Sequence, residues 1–268
     1  MSETKVYLLD GGSLVIDGFH MFWNRGPAGD VRFPCYSVFI DHPEGKFLFD
    51  TGYDRAHVER VLPFEKPLQS PDQTIPRQLA LLAVRPDEIT HVINSHFHFD
   101  HCGGNKFCKN AITVCHKREL EAAKHPQPFE HLGYSDLSFL GLTEPDKKTA
   151  GSPEETDGLS TARFELIEGD QEIAKGLWLF ETPGHAAGHY SLMVELSDRR
   201  PMLFASDAVF SQKNLEMNCI CSFHVDPVAS IESMQRLKAL TDKHNAEFFY
   251  SHDPDSYPAY KKAPACYP

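Results

Sequence analysis

Asn94-Ser95-His96-Phe97-His98-Phe99-Asp100-His101-Cys102-Gly103-Gly104 decides how the rest of the chain is read. Four strong metal ligands, His96, His98, Asp100 and His101, fall within six residues of it. The run just before, Thr90-His91-Val92-Ile93-Asn94, is β-branched and apolar enough to be a buried strand. The ligands therefore stand where a strand ends and a loop begins, which in α/β proteins is where sites are built. His96 and His98, two residues apart, point to one side of an extended backbone. Asp100 and His101 follow as the chain turns, so they aim at a different point. Two imidazoles on one centre, and a carboxylate with an imidazole on another, suggest two metals, and nitrogen and oxygen donors suit zinc. Packed together without metal, these groups would be costly to desolvate, which weighs against a purely structural cluster.

The pattern His-x-His-x-Asp-His resembles the signature of the metallo-β-lactamase superfamily, a set of binuclear metal hydrolases. That family completes its site with a later His, a bridging Asp and a final His, each following a strand. Matching residues occur here in the same order: His185 in Thr182-Pro183-Gly184-His185, Asp207 after Leu203-Phe204-Ala205-Ser206, and His252 after Phe248-Phe249-Tyr250-Ser251. The resemblance implies a four-layer αβ/βα sandwich of two mixed sheets with helices outside, as one domain over residues 1–268. It implies two zinc ions per chain, one on His96, His98 and His185, the other on Asp100, His101 and His252, with Asp207 bridging. Zinc lowers the pKa of a bound water from 15.7 towards about 7. Asp100 or Asp207 then accepts or returns a proton during ester hydrolysis. His189 lies four residues after His185 and competes with it; the Thr-Pro-Gly-His match favours His185. Asp50, in Asp50-Thr51-Gly52, either orients a ligand from outside the metal shell or caps its own loop.

Within the superfamily the likeness is to the lactonases, and among them to 4-pyridoxolactonases. It is strongest in Tyr7–Leu14, in Phe22-Trp23-Asn24-Arg25-Gly26-Pro27 and in Asn94–Asn105. Glutathione thioesterases of the superfamily carry a long helical segment after the last ligand, whereas sixteen residues follow His252 here. The flavodiiron branch has Glu where His98 stands, and many β-lactamases lack a His at the position of His101. The expected reaction is therefore opening of a lactone, 4-pyridoxolactone to 4-pyridoxate in vitamin B6 degradation. N-acylhomoserine lactone hydrolysis is the alternative, and a zinc-stabilised interaction module without activity is the third reading. Acylhomoserine lactonases often have a Tyr three residues after the bridging Asp; here that residue is Phe210. Trp23, Arg25, Phe129, Tyr134 and Phe210 are the expected substrate contacts, four rings for an aromatic slot and one polar anchor.

Bulk properties fit a cytoplasmic small-molecule enzyme, possible as a homodimer. Of 268 residues, 41% are hydrophobic, enough for a substantial core, and the net charge of −12 argues against a nucleic-acid partner. No apolar run reaches membrane-spanning length, and Met1-Ser2-Glu3-Thr4-Lys5 does not begin a signal peptide. Seven cysteines without a secretion signal do not form a disulfide framework. Cys219-Ile220-Cys221 reads as ordinary buried or loop thiols.

Taken in order, Lys5–Asp10 and Ser13–Asp17 read as two strands around a Gly11-Gly12 turn, and residues 19–33 as a long loop. Helices are expected over Asp54–Val61, Thr74–Leu82, His116–His125 and Pro227–His244. The last is capped by Asp226, with Val228, Ile231, Met234, Leu237 and Leu240 as its apolar stripe. His116 and His125 read as solvated helix residues, and Thr143–Ser160 as a polar surface insertion.

Overall fold

The structure, a computed structural model, describes residues 3–142, 147 and 160–268. Apart from Lys147 and Ser160, the expected surface insertion lies outside them. One sheet runs in the order β1 (Lys5–Asp17), β2 (Asp30–His42), β3 (Gly45–Phe49), β4 (His91–Ile93), β5 (Ile112–His116) and β6 (Arg163–Ile167). Its first three strands are antiparallel and the rest parallel. The second sheet comprises β7 (Gln171–Ala174), β8 (Leu177–Glu181), β9 (Tyr190–Val194), β10 (Met202–Phe204) and β11 (Glu247–Phe249), ordered β11-β10-β9-β8-β7. The segments connecting the strands carry helices α1 (Gly18–Met21), α2 (Arg55–Val61), α3 (Ile75–Ala80), α4 (Phe99–Cys102), α5 (Lys117–Lys124), α6 (Gln212–Met217) and α7 (Pro227–His244).

Alternation along the strands sorts the apolar side chains between layers. Val38, Ile40, Phe47 and Phe49 of the first sheet meet Leu179, Leu192, Val194 and Phe204 of the second in a shared core. The outer face of the first sheet, with Phe39, Leu48 and Val92, is covered by Ile75 and Leu79 of α3. The outer face of the second, with Phe180, Met193 and Leu203, is covered by Met234 and Leu237 of α7. This is the expected αβ/βα sandwich. Among the described residues, no helix is long and apolar enough to cross a membrane.

Several local expectations are corrected. Lys5–Asp17 is one strand rather than two, because β2 pairs with both halves and the register shifts at Gly11-Gly12. Gly12 takes φ +89°, and a Cβ there would lie 2.5 Å from the Leu68 carbonyl oxygen, so the bulge needs glycine. The expected loop over 19–33 is shorter, since β2 already starts at Asp30. In α7, Asp226 and Pro227 act as expected, with Asp226 accepting from the Val228 and Ala229 amides. The buried stripe is Ser230, Ser233, Met234 and Leu237, however, and Val228 is 66% exposed. The helix is rolled because it packs small residues against the turn before His185. Ser233 Oγ donates to the Pro183 carbonyl at 2.7 Å, and Gly184 sits directly on Ser230. His116 is not solvated: it is buried, caps α5, and its Nε2 lies 2.9 Å from Glu181 Oε1.

Candidate metal centre

Two strand ends of one sheet and three of the other meet at one edge of the sandwich. The first sheet delivers Asp50 after β3 and residues 96–101 after β4. The second delivers His185 after β8, Asp207 after β10 and His252 after β11. His185 Nε2 lies 3.2 Å from His96 Nε2 and 3.0 Å from His98 Nδ1. Three nitrogens bound about 2.0 Å from one zinc in tetrahedral geometry would be about 3.3 Å apart, so these three fit one ion. Burial holds all three imidazoles neutral, with His98 pushed down to about 4 and His96 and His185 well below the usual range. Neutral imidazole is the form that donates to a metal.

The second group collects around Asp207. Its Oδ1 lies 3.2 Å from His101 Nε2 and 3.0 Å from His252 Nε2, while its Oδ2 lies 3.3 Å from His185 Nε2. Asp100 Oδ2 is 3.6 and 3.5 Å from the same two nitrogens of His101 and His252. One carboxylate thus faces both groups with separate oxygens. His101 Nε2, His252 Nε2 and Asp207 Oδ1 are buried and make no hydrogen bond, an arrangement that a cation would satisfy. Burial opposes charge on His101 and His252, yet the surrounding carboxylates, Asp207 first, raise both. Cys35 Sγ also lies within 4.8 Å of ligand atoms on Asp100 and His252.

An outer layer fixes the free nitrogens of His252 and His101. His252 Nδ1–H donates to the Pro34 carbonyl at 2.9 Å and His101 Nδ1–H to Asp50 Oδ2 at 2.9 Å, which leaves Nε2 bare in both. Asp50 also accepts from the Ser95 amide and hydroxyl, each at 2.8 Å, and from Ser206 Oγ at 3.3 Å. It therefore orients the His101 imidazole rather than merely capping its loop. His189 is not aimed at either group. Its Nε2 accepts the Asp207 amide at 3.2 Å and its Nδ1 meets Thr182 Oγ1 at 2.8 Å, so it positions Asp207. Glu119, which no motif singles out, is wholly buried. It accepts from the Phe97 amide, the Gly188 amide and the Tyr134 hydroxyl at 2.9, 3.1 and 2.9 Å, tying the two ligand loops together. Burial pushes its carboxyl up to about 7.

A cavity of about 590 Å³ opens over the ligands, its floor formed by His98, Asp100, His185, Asp207 and His252. Of the expected substrate contacts, Phe129 and Phe210 line it; Trp23, Arg25 and Tyr134 do not. Trp23 packs edge-on against His224 at 4.5 Å, and Arg25 turns to the Met217 carbonyl. Tyr134 is fully buried behind His98, its hydroxyl held by Glu119. Phe210 stands between the two metal-binding groups, with ring centroids 5.8 Å from His185 and 4.8 Å from His252. Phe33 packs edge-on against His252 from another side at 4.7 Å. Glu65, on the short 3-10 turn Pro63–Glu65, was not anticipated and also lines the cavity. Burial, reinforced by Asp100 and opposed by His252, pushes its carboxyl up to about 8. All seven cysteines are free, and Cys221 Sγ lies 3.4 Å from His185 Nδ1.

The profile of the metallo-beta-lactamase superfamily matches residues 30–252. Across its full length the chain is 29% identical to the full length of N-acyl homoserine lactonase AttM of Rhizobium radiobacter. It is 27% identical to N-acyl homoserine lactonase AiiA of Bacillus thuringiensis subsp. kurstaki, over 94% of each chain. A solved N-acyl homoserine lactone hydrolase, with the product N-hexanoyl-L-homoserine at its catalytic metal centre, superposes over the whole of both chains with a TM-score of 0.81 at 25% identity.

Proposed function

The chain belongs to the metallo-β-lactamase superfamily, and from that membership we propose that it is a two-zinc hydrolase that opens the ester bond of a lactone. The observation that carries this reading is Asp207, whose two oxygens face two separate groups of buried ligands on the floor of one cavity. His96, His98 and His185 would hold one ion, Asp100, His101 and His252 the other, and Asp207 would serve both. Bound zinc supplies Lewis acidity and a nucleophile at neutral pH. Asp100 and Asp207 border the cavity, placed to take a proton from the attacking water and return it to the leaving alkoxide. Phe33 and Phe210 give that end of the cavity ring walls that limit how the lactone lies. His189, Asp50 and Glu119 keep the ligands in place before substrate arrives, so little reorganisation is needed on binding.

Two substrates compete. The named relatives support N-acyl homoserine lactones more directly. The cavity supports a flat aromatic lactone, 4-pyridoxolactone, through its ring-walled floor, the absence of a tyrosine hydroxyl at Phe210 and the unpaired carboxyl of Glu65. We favour the second on these features. The test compares both lactones on one zinc-loaded preparation. We expect kcat/KM for 4-pyridoxolactone to be at least about a hundredfold higher, a difference of about 2.7 kcal/mol in transition-state binding. Equal or reversed values assign the acylhomoserine substrate instead, and turnover of neither refutes the lactonase reading.

A further inference from the structure

Four carboxylates besides the proposed ligands line the cavity: Asp17, Asp30, Glu65 and Glu130. Three have work elsewhere. Asp17 accepts from the Phe19 and Gly29 amides at 2.9 and 3.0 Å. Asp30 is paired with Lys66. Glu130 Oε2 accepts from the Gln127 amide of its own turn. Glu130 Oε1 is likewise buried and unpaired, but Glu130 itself is only partly buried, whereas Glu65 is buried as a whole. Glu65 is 7% exposed, its Oε2 is buried, and that oxygen has no hydrogen-bond partner. Leu62, Phe64 and Phe33 on the same cavity wall carry no donor side chain, and no hydrogen bond reaches Oε2 from the donors that do line it. A buried acceptor left unpaired is costly, and the usual resolution is a partner that the protein alone does not supply.

We propose that Glu65 is the specificity-determining residue of the lactone site, pairing with a hydrogen-bond donor on the non-reacting part of the substrate. The class selected is a lactone whose fused or attached ring carries a protonated nitrogen, an N–H or a hydroxyl. This inference rests on the lactonase reading and adds the group that chooses among lactones. The selection works by difference. A substrate with the donor satisfies Oε2, whereas one without it must cover a desolvated carboxyl and leave it unpaired, a situation that sites exploit to reject close analogues. The aromatic wall alone would not make that distinction, since a carbocyclic ring stacks as well as a heterocyclic one. Glu65 touches the substrate away from the scissile bond, so its effect falls mainly on KM.

The experiment measures kcat/KM of the zinc-loaded protein for 4-pyridoxolactone, which carries a ring nitrogen and a hydroxyl, and for phthalide, which carries neither. Native protein, Glu65→Gln and Glu65→Leu are compared, with zinc content measured on each. The expected result is that the preference for the donor-bearing lactone falls by about tenfold to a hundredfold in Glu65→Leu, mostly through KM. Glu65→Gln, which keeps an acceptor oxygen, retains part of it. An equal loss for both lactones, or no change in their ratio, overturns the proposal. A native protein that opens neither lactone also overturns it. In that case turnover of an N-acyl homoserine lactone leaves the lactonase reading standing, and its absence removes both.

Discussion

Replacing Gly184 with Ala tests whether close packing of one turn on α7 positions His185. Gly184 has φ +126°, and a Cβ built there falls 2.2 Å from the Ser230 amide nitrogen and 2.5 Å from Ser230 Oγ. Its carbonyl also accepts from the Val225 and Asp226 amides at 2.8 and 3.0 Å, so the turn is fastened to the start of the helix. Relieving the clash to an ordinary contact requires the turn to back away by about 1 Å, and His185 is the next residue. Strained backbone costs about 1–3 kcal/mol, and overpacking against the helix about 1–3 kcal/mol more. The sum, about 2–6 kcal/mol, corresponds to a fall in Tm of at least about 4 °C for a chain of this size. The assay is thermal unfolding of the metal-free protein, followed by zinc affinity from competition with a chromophoric chelator. One of the two zinc ions should bind about tenfold to a hundredfold more weakly. The control is Gly169→Ala, at φ +70° with nothing within 4 Å of the added carbon, which carries the backbone cost alone. If both variants lose the same stability and neither loses zinc affinity, the close approach at Gly184 does not position the ligand.

Three other outcomes are expected. Protein purified without chelator and reloaded should contain about two zinc ions per chain by elemental analysis, and chelation should abolish lactone hydrolysis; one ion or none removes the binuclear assignment. Asp207→Ala should lose activity and loosen metal in both groups, whereas His189→Ala should cost about 1–3 kcal/mol for the unpaired Asp207 amide with a smaller loss of metal; the reverse order would make His189 the ligand. Glu119, raised from the usual 4.5 to about 7, binds more protons in the folded than in the unfolded state between those values, so its contribution to stability is lost as pH rises through that window. The gap in unfolding free energy between metal-free native protein and Glu119→Gln should therefore shift in the variant's favour by about 3 kcal/mol from pH 4.5 to above pH 7; a gap that ignores pH contradicts the buried carboxyl.

The grouping of the proposed ligands was legible because their signal is local. Four donors crowd one strand end, and each later ligand follows its own short apolar run, so residue type and position agree. The choice between His185 and His189 needed the family match, since both are buried imidazoles in one loop and only the structure shows His189 serving the Asp207 amide. Groups whose role depends on distant packing were not legible. Glu119 sits in a charged helical stretch, Lys117-Arg118-Glu119-Leu120-Glu121, and nothing in that run says that its third residue points inward between two loops 22 and 69 residues away. Glu65 occupies a Pro-Phe-Glu-Lys turn that reads as surface and is buried only because the cavity wall closes around it. Trp23, Arg25 and Tyr134, expected as substrate contacts, lie off the cavity lining for the converse reason: aromatic and basic residues near a site are as useful for holding its loops as for meeting its ligand.

Division of the ligands between the two sheets has a consequence for how the protein acquires metal during folding. Each proposed zinc draws donors from both sheets, and the second joins residues 100 and 252 across more than half of the chain. Closing so long a loop is slow compared with forming a hairpin or a single helix. A partly folded chain with only its first sheet formed presents His96, His98, Asp100 and His101 without their partners, an incomplete site open to any available transition metal. On the two-zinc reading, tight binding would arise only once the sheets have docked, with the ions as late clasps rather than as nuclei. Refolding with zinc present from the start should thus leave the rate of sheet formation unchanged while slowing the loss of structure on unfolding.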